Sequence, residues 1–527
     1  MISLARDDAR ARAESVAVDS YHVELDLDAG ERHFGSVCTI RFGCTAPGTP
    51  TFLDVAADEI RAVTLNGRPV DVTNSFSPRT RRLTLSDLAE QNELSVDAVM
   101  TYSHDGEGLH RSVDPADGRA YLYAMSFLDA APRWFACFDQ PDLKAPVTID
   151  VRCPPNWQVA GNGPAQQRDP GRWTIPSAGP LGTYFTTLVA GPYHAVRDEH
   201  DGIPLVLHVR QSLAEHLERD AEHLLSHTKR CMDELHALFR YRYPWGEYHQ
   251  AFVPDFNAGA MENPGCVTLR DTMIFRSRAI YAELLNRDIA IAHEMAHMWF
   301  GDLVTMRWWD DLWLNEAFAE YLGQRVTGPD AWTQFGAERK SWGYAADRRP
   351  STHPIAGNGA PDARTALTDF DGISYAKGAS VLRQLSVHIG DAMFLDGLRR
   401  YIAAHAWGNA EFADLVSAWT AAGADDLERW SAAWLRTSGM DELAVEDSAL
   451  VRREPPDRPG REHTVAVAEF DADGAEQARH VVRIHGERTA LRVGRSALVL
   501  PDAGDETWAK VRLPATPGPP CRGRSPR

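Results

Sequence analysis

The chain has 527 residues, of which 44% are hydrophobic, and its mean hydropathy is -0.36. This size is enough for roughly three domains with a substantial core, and no stretch approaches the eighteen uninterrupted apolar residues of a membrane span. The formal net charge of -19, from 74 acidic and 55 basic residues, argues against nucleic acid as a partner and otherwise reflects ordinary acidic solubility.

The N-terminal residues and the cysteines bear on the cellular compartment. Residues 1–19 are rich in Asp, Arg and Ala and contain no apolar signal core, so secretion is not expected. The seven cysteines are scattered without CxxC spacing, and their odd number fits reduced thiols better than a disulfide framework. We therefore expect a cytoplasmic protein with no membrane partner.

Hydrophobic periodicity changes twice along the chain. Apolar and polar residues alternate at 21–27 and 147–151, which predicts antiparallel strands over roughly the first 190 residues. A stripe of apolar residues with helical spacing runs from about Leu213 to Phe239. Alternation returns at 465–467 and 481–482, with turn signals between and after these segments, so further strands are predicted near the C-terminus.

The segment around His293 carries the strongest chemical signal. His293, Glu294 and His297 form an HExxH string, and Glu316 follows after eighteen intervening residues. Apolar residues at helical spacing place the two histidines one turn apart on one helix face, so both imidazoles can reach one ion. Catalytic zinc accepts such ligands and keeps one position for water, which Glu294 could reach without binding the metal. The pattern predicts a zinc hydrolase site with one Zn2+ per chain.

Local signals support this interpretation. Residues 284–300 contain no Pro or Gly and are followed by Gly301, as a helix with a C-terminal stop requires. A second helical pattern follows, which Asp310 or Asp311 could cap and which carries the distant glutamate. The metzincin alternative requires a glycine at position 300 and a histidine at 303, and neither is present.

Three motifs in order resemble one family. Residues 259–263 resemble the GAMEN motif of the aminopeptidase N family of gluzincin metallopeptidases, and residues 293–322 resemble that family's zinc segment. Residues 370–378 are similar to the later segment that carries its catalytic tyrosine. The resemblance covers roughly residues 20–513 and is strongest at 253–385.

The resemblance implies a multidomain α+β fold. Its expected parts are an N-terminal antiparallel β domain (1–193), a thermolysin-like zinc catalytic domain (194–440) and a small β-sandwich domain (441–513). Residues 514–527 hold five prolines and three arginines and are expected to be disordered. Relatives usually continue into a large helical C-terminal domain, which is expected to be absent here.

Hydrolysis of a peptide bond assigns a role to each group. A zinc-bound water has a pKa lowered from 15.7 towards about 7, and Glu294 would take its proton and pass it to the leaving amine. The oxyanion needs a second electrophile beside the metal. The resemblance implies that the hydroxyl of Tyr375 is this donor.

An exopeptidase must also bind a free amino terminus, which is largely cationic at neutral pH. Glu262 is the expected partner, and peptides with a free N-terminus are the expected substrates. Glu320, one helical turn beyond Glu316, is expected to accept a hydrogen bond from a ligand histidine. The oligomeric state stays open, with a monomer slightly favoured. By resemblance, the remaining motif residues line the substrate's first residues: Gly259, Ala260, Met261 and Asn263.

One departure from the family keeps alternatives open. When the chain is aligned backwards from Arg133, Ser126 and Leu128 stand where the family has a Gln-x-Glu pattern that also reaches the amino terminus. Loss of one hydrogen bond to a charged group costs about 1.5 to 3 kcal/mol, or roughly tenfold to a hundredfold in binding. A zinc aminopeptidase is favoured, and the alternatives are a non-catalytic or weakly active peptide-binding relative and a zinc epoxide hydrolase on the same scaffold.

Overall fold

The computed structural model describes residues 3–455, 460–494 and 496–513. The tail expected to be disordered, 514–527, lies outside these residues. The described chain packs into two compact units, which are discontinuous in sequence. Among the described residues, unit 1 comprises 3–315, Ala360–Thr368 and Ala404–Glu411, and unit 2 comprises Glu316–Gly359, Asp369–Ala403 and the described part of 412–513.

The described residues form a mixture of helices and strands, with a β-rich N-terminal region and a helical region after it. The α-helices are α1 (Arg6–Ser15), α2 (Val72–Ser75), α3 (Ala214–Phe239), α4 (Tyr281–His297), α5 (Trp313–Thr327), α6 (Pro329–Gln334), α7 (Lys340–Asp347), α8 (Ala363–Ala366), α9 (Gly378–Ile389), α10 (Asp391–His405), α11 (Phe412–Ala421) and α12 (Leu427–Trp434). Within the described chain, no helix combines the length and apolar character needed to span a bilayer.

The strands of the first half belong to unit 1. They are β1 (Val16–Asp26), β2 (His33–Cys44), β3 (Thr51–Asp54), β4 (Glu59–Leu65), β5 (Arg68–Pro69), β6 (Phe76–Ser77), β7 (Arg82–Leu85), β8 (Gln91–Thr101), β9 (Gly108–Val113), β10 (Ala120–Met125), β11 (Val147–Arg152), β12 (Gln158–Gly161), β13 (Gln166–Asp169), β14 (Arg172–Pro176) and β15 (Leu188–Gly191). The later strands are β16 (His194–His200), β17 (Ile203–Val209), β18 (Tyr248–Val253), β19 (Ala260–Met261), β20 (Cys266–Arg270), β21 (Thr305–Met306), β22 (Asn409–Ala410), β23 (Asp441–Glu446), β24 (Ala449–Arg453), β25 (His463–Phe470), β26 (Glu476–Ile484), β27 (Arg488–Ala490), β28 (Leu498–Leu500) and β29 (Ala509–Arg512).

An eight-stranded sheet organises the N-terminal region, in the order β13-β14-β11-β1-β2-β8-β4-β5. Tyr21, Val23 and Leu25 occupy alternate positions of β1 and are at most 2% exposed, as the two-residue period of a strand with one buried face requires. The predicted strands are therefore confirmed. The described pairs among these strands are mainly antiparallel, as expected, with one exception: β1 pairs antiparallel with β2 but parallel with β11. An alternating pattern reports which face is buried and carries no information on the direction of the neighbouring strand.

A five-stranded sheet with the order β16-β17-β18-β20-β19 supports the site in unit 1. Strands β17, β18 and β20 run parallel, and every residue of β18 is buried, as is typical of a parallel strand covered on both faces. The short strand β19 lies at the sheet edge and pairs antiparallel with β20. Helix α4 packs against both α3 and β19, so the GAMEN segment and the HExxH helix lie side by side.

The C-terminal part of unit 2 contains two small sheets. One has the order β27-β24-β23-β29 and the other has the order β26-β25-β28. Val465 and Val467 of β25 are fully buried and share a core with Leu443 of β23 and Leu450 of β24. The strands predicted from the alternation in this region are therefore present.

Candidate metal and peptide site

Helix α4 presents the HExxH residues. The ring centroids of His293 and His297 lie 4.7 Å apart, as expected for side chains one turn apart on the same face. The helix ends at His297, three residues before the predicted end at Phe300. The chain turns here because the N–H of Asp302 donates to the carbonyl of His297 at 3.1 Å, which closes a loop where further helix was expected.

Two overlapping groups of side chains could hold a metal ion. Ligand atoms of His293, His297 and Glu316 lie within 4.8 Å of one another, and the same holds for Glu262, Glu294 and His297. Two imidazoles and a carboxylate form a donor set that occurs in catalytic zinc sites, with bonds of about 2.0 to 2.2 Å. The first group therefore fits zinc, and the second places two carboxylates beside it.

Hydrogen bonds fix the orientation of the His297 ring. Its Nδ1 lies 2.5 Å from the amide oxygen of Asn315 and 3.1 Å from the carbonyl of Phe300. Both partners are acceptors, so Nδ1 carries the proton of the neutral ring and the lone pair lies on Nε2. Such a partner fixes the tautomer and the ring plane of a metal ligand.

Asn315 also contacts the predicted anchor for the amino terminus. Its Nδ2 donates to Oε1 of Glu262 at 3.0 Å, and the hydroxyl of Tyr184 donates to the same oxygen at 2.9 Å. Glu262 is only 4% exposed and Asn315 only 1%. One buried amide therefore joins a predicted metal ligand to a predicted substrate anchor. Sequence reasoning missed this role of Asn315, although its position directly before Glu316 was a usable signal.

The GAMEN segment separates into exposed and buried residues. Gly259 is exposed and Ala260 is half-buried, whereas Met261 and Asn263 are 1% and 0% exposed. The side-chain Nδ2 of Asn263 donates to the hydroxyl of Thr268 in β20 at 3.2 Å, which holds the loop to the sheet. Gly259 and Ala260 are therefore accessible to a substrate, while Met261 and Asn263 are buried and hold the loop against the sheet.

Ser126 and Leu128, the positions aligned from the sequence with the family's Gln-x-Glu pattern, are buried in the core. The hydroxyl of Ser126 donates to the carbonyl of Thr186 at 2.5 Å and accepts from Nε1 of Trp134 at 3.1 Å. Ser126 is 0% exposed and Leu128 is 2% exposed. Both side chains are occupied within the core, and neither presents a charged group.

A buried lysine braces the loop after α4. Nζ of Lys144 donates to the backbone carbonyl of Asp302 at 2.9 Å and to those of Leu303 and Gly408 at 3.3 Å. Burial lowers the pKa of Lys144 to about 7, although the nearby Asp302 opposes this effect. Burial, and then the negative charge of Glu262, raise the pKa of the Asp302 carboxyl well above its usual range.

Glu320 and Tyr375 lie in unit 2. Glu320 is 4% exposed and accepts two hydrogen bonds from Arg339, at 2.8 and 2.7 Å. The expected bond from a ligand histidine to Glu320 stays a prediction. Tyr375 lies in a π-helical turn, Ile373–Lys377, and its ring centroid is 5.9 Å from that of Trp342. Sequence reasoning missed Arg339 altogether.

Comparisons with known proteins identify the family of this chain. Residues 17–175 match the peptidase M1 N-terminal domain, and residues 223–434 match the peptidase family M1 domain. Aminopeptidase N of Streptomyces lividans is 41% identical, over 97% of this chain and 64% of that protein. Probable M1 family aminopeptidase 2 of Encephalitozoon cuniculi is 30% identical over 68% of this chain and 43% of its own, and aminopeptidase M1 of Arabidopsis thaliana is 31% identical over 75% and 49%.

The chain spans less than two thirds of the length of each of these relatives. The matched segments nevertheless contain the elements described above. The GAMEN segment, both histidines of α4, Glu316 and Tyr375 all fall within residues 223–434. On the strength of these matches and of the geometry around α4, the chain belongs to the peptidase M1 family.

Proposed function

We propose that this chain is a zinc-dependent aminopeptidase that hydrolyses the N-terminal peptide bond of peptides through a metal-activated water. The observation that carries the proposal is the close approach of His293, His297 and Glu316, whose ligand atoms lie within 4.8 Å of one another. The relatives named above are aminopeptidases by name, which supports the same reaction class.

In this proposal His293, His297 and Glu316 hold one Zn2+. The proton on Nδ1 of His297 supports the assignment, because it leaves the Nε2 lone pair for a metal. A bound zinc ion supplies a Lewis acid and a water of lowered pKa. The helix that carries the first two ligands supplies rigidity, since α4 is packed on α3 and β19.

Glu294 is the general base and Glu262 binds the substrate's ammonium group. The α-nitrogen of a peptide lies only about 2.5 Å from the carbonyl carbon of the same residue, so the two carboxylates must lie close together. Carboxylate oxygens of Glu262 and Glu294 within 4.8 Å of each other meet this requirement. A buried carboxylate at this distance favours a charged amino terminus over a continuing chain, which supports exopeptidase rather than endopeptidase specificity.

The remaining contacts with substrate are assigned by the same reasoning. Gly259 and Ala260 bind the first residues through the backbone of the sheet edge, with Met261 and Asn263 as support. Tyr375 donates a hydrogen bond to the oxyanion. Glu320 accepts a hydrogen bond from a ligand histidine.

The wider organisation is part of the proposal. Residues 1–193 form the N-terminal β domain, 194–440 a thermolysin-like catalytic domain and 441–513 a small β-sandwich. The protein acts in the cytoplasm on peptides, as a monomer and without nucleic acid or membrane partners. The six described cysteines support a reducing compartment, since all are unpaired and buried.

Steady-state turnover tests the central claim. We expect release of arylamine from a panel of aminoacyl-arylamides, loss of activity on chelation and recovery with zinc. Glu294→Gln should lower kcat severely and keep one zinc per chain, whereas Glu222→Gln, on an exposed position of α3, should match the wild type. Turnover by metal-free protein, or normal kcat in Glu294→Gln, would refute the assignment. Epoxide hydrolysis without peptidase activity would favour the alternative reaction.

A second candidate, a weakly active peptide-binding relative, is favoured by one observation. Ser126 and Leu128 point into the core, so amine recognition depends mainly on Glu262. Stoichiometric zinc and peptide binding without measurable turnover would support this candidate. A KM in the range of ordinary peptidases would exclude it.

A further inference from the structure

We infer that Arg339 is a positioning residue of the proposed active site, which holds the Tyr375 ring and the Glu320 carboxylate in one fixed arrangement. The inference rests on the proposed function, because the role of Tyr375 does. Arg339 itself does not touch the reacting atoms in this assignment.

The first contact of Arg339 is a two-pronged ion pair. Its Nε donates to Oε1 of Glu320 at 2.8 Å and its Nη2 donates to Oε2 at 2.7 Å. Paired parallel hydrogen bonds of this kind fix direction as well as distance. Glu320 is 4% exposed, so its charge depends on a partner inside the protein. Glu320 lies one turn after Glu316 in α5, and Arg339 therefore anchors the helix that carries the proposed third metal ligand.

The second contact is with two aromatic rings. The guanidinium carbon of Arg339 lies 4.6 Å from the ring centroid of Trp342 and 5.7 Å from that of Tyr375. Both distances fall within the range of about 6 Å over which a cation is attracted to an aromatic face. The rings of Trp342 and Tyr375 are themselves 5.9 Å apart. The Arg339 side chain thus contacts both Glu320 of α5 and the ring of Tyr375, the proposed oxyanion donor.

Backbone geometry shows the same association. Arg339 ends a π-helical turn, Phe335–Arg339, and Tyr375 lies in a second one, Ile373–Lys377. Such turns are rare and occur frequently at functional sites. Helix α7 begins directly after Arg339 and lies against the tyrosine turn without intervening side chains. A Cβ added to Gly372 would come within 2.6 Å of the Cα of Gly343, so only glycine permits this approach.

A hydrogen-bond donor to an oxyanion must be held within about 0.5 Å of its productive position. A shift of about 1 Å caused by a remote change can lower the rate by about a hundredfold. Loss of Arg339 removes two hydrogen bonds to Glu320 and the cation that lies over the Tyr375 ring. We therefore expect kcat to fall, because the hydroxyl of Tyr375 is no longer held in position.

A double-mutant cycle on the full-length holoenzyme tests the inference. Arg339→Met should keep one zinc per chain, change KM by less than about threefold and lower kcat by roughly 10- to 100-fold. Arg339→Lys should recover part of kcat, because lysine restores the charge but lacks the planar fork. In a Tyr375→Phe background, Arg339→Met should lower kcat by less than about threefold further, because the two residues act as a unit.

Arg325→Met is the matched control. Arg325 lies in α5, the helix that also carries Glu320, and makes a two-pronged ion pair with Asp391. Removal of this ion pair should leave kcat unchanged. Equal factors for Arg339→Met in both backgrounds, or loss of its zinc, would overturn the inference. Should Arg339→Met fail to fold, Arg339→Lys carries the same cycle. Normal kcat in Tyr375→Phe would remove the tyrosine from the proposed function itself, whereas normal kcat in Arg339→Met beside an impaired Tyr375→Phe would refute this inference alone.

Discussion

Replacing Asn315 with alanine should weaken both zinc binding and recognition of the amino terminus. The amide of Asn315 accepts from Nδ1 of His297 and donates to Oε1 of Glu262 at 3.0 Å, and the residue is 1% exposed. Water cannot easily replace a group buried to this degree. The substitution therefore leaves the buried imidazole N–H of His297 and the buried carboxylate of Glu262 with one hydrogen-bond partner fewer each.

The size of each effect follows from the type of hydrogen bond. A bond between neutral groups contributes about 1 kcal/mol and one to a charged group about 1.5 to 3 kcal/mol. At 1.4 kcal/mol per factor of ten, the zinc Kd should rise roughly fivefold through His297, and KM should rise roughly tenfold to a hundredfold through Glu262. Outer partners of metal ligands commonly show losses of this order.

Two assays separate the effects. Competition with a chromogenic chelator measures the zinc Kd, and initial rates on an aminoacyl-arylamide at saturating zinc give KM and kcat. Asn315→Asp adds a useful contrast, because it keeps an acceptor for His297 but sets a second carboxylate against Glu262. We expect this variant to bind zinc well and peptide poorly.

Asn92→Ala is the control for simple loss of a buried amide. Asn92 is 5% exposed and makes three side-chain hydrogen bonds in the N-terminal region, with Ala89 and Asn66. This substitution should lower Tm without changing the zinc Kd. If Asn315→Ala binds zinc and peptide within twofold of the wild type, the proposed coupling through the amide does not exist.

Other regions give sharp expectations. Gly301→Ala should impair zinc binding and lower Tm, because the added Cβ would lie 1.9 Å from the amide oxygen of Asn315 and the backbone φ of residue 301 is +118°. An unchanged melting curve would contradict this prediction. A thiol reagent should label none of the six described cysteines in the native state and all six in denaturant, since all are buried and burial raises the pKa of Cys153 to about 11. Burial alone would raise the pKa of Asp347, but Lys377 and several hydrogen bonds outweigh it and lower the pKa below its ordinary value. The stabilisation by this carboxylate is therefore complete above its unfolded pKa and lost as pH falls through the lower folded value, and Asp347→Asn should flatten the acid limb of urea-unfolding stability.

The sequence predicted well whatever depends on local periodicity. His293 and His297 are four residues apart in one helix, and helix geometry alone brings their rings to 4.7 Å. The buried face of β1 and the helical stripe of α3 follow from the same kind of rule, and both are observed. The Gly-free run from His297 to Phe300 was less informative, because the helix ends at His297, where the N–H of Asp302 donates to the carbonyl of His297.

The rest of the site depends on contacts between distant segments. Glu262 receives hydrogen bonds from Tyr184, 78 residues away, and from Asn315, 53 residues away. Arg339 reaches Glu320 across 19 residues and the Tyr375 ring from a different helix. No period or spacing in a single sequence encodes such pairs, since they arise only when the sheets and helices pack. The parallel pairing of β1 with β11 escaped prediction for the same reason.

Asn315 connects the proposed metal ligand His297 with the proposed ammonium anchor Glu262 through a single amide. A primary amide has one acceptor end and one donor end, and here the acceptor end faces His297 while the donor end faces Glu262. Rotating the amide by 180° would set its N–H groups against the Nδ1 proton and its oxygen against the carboxylate, so both bonds are lost together. The orientation that suits a zinc ligand is therefore the one that suits the ammonium anchor. In the proposed function, with Ser126 and Leu128 buried in the core, recognition of the amino terminus rests heavily on Glu262, and this carboxylate is bonded by the same amide that orients the proposed metal ligand.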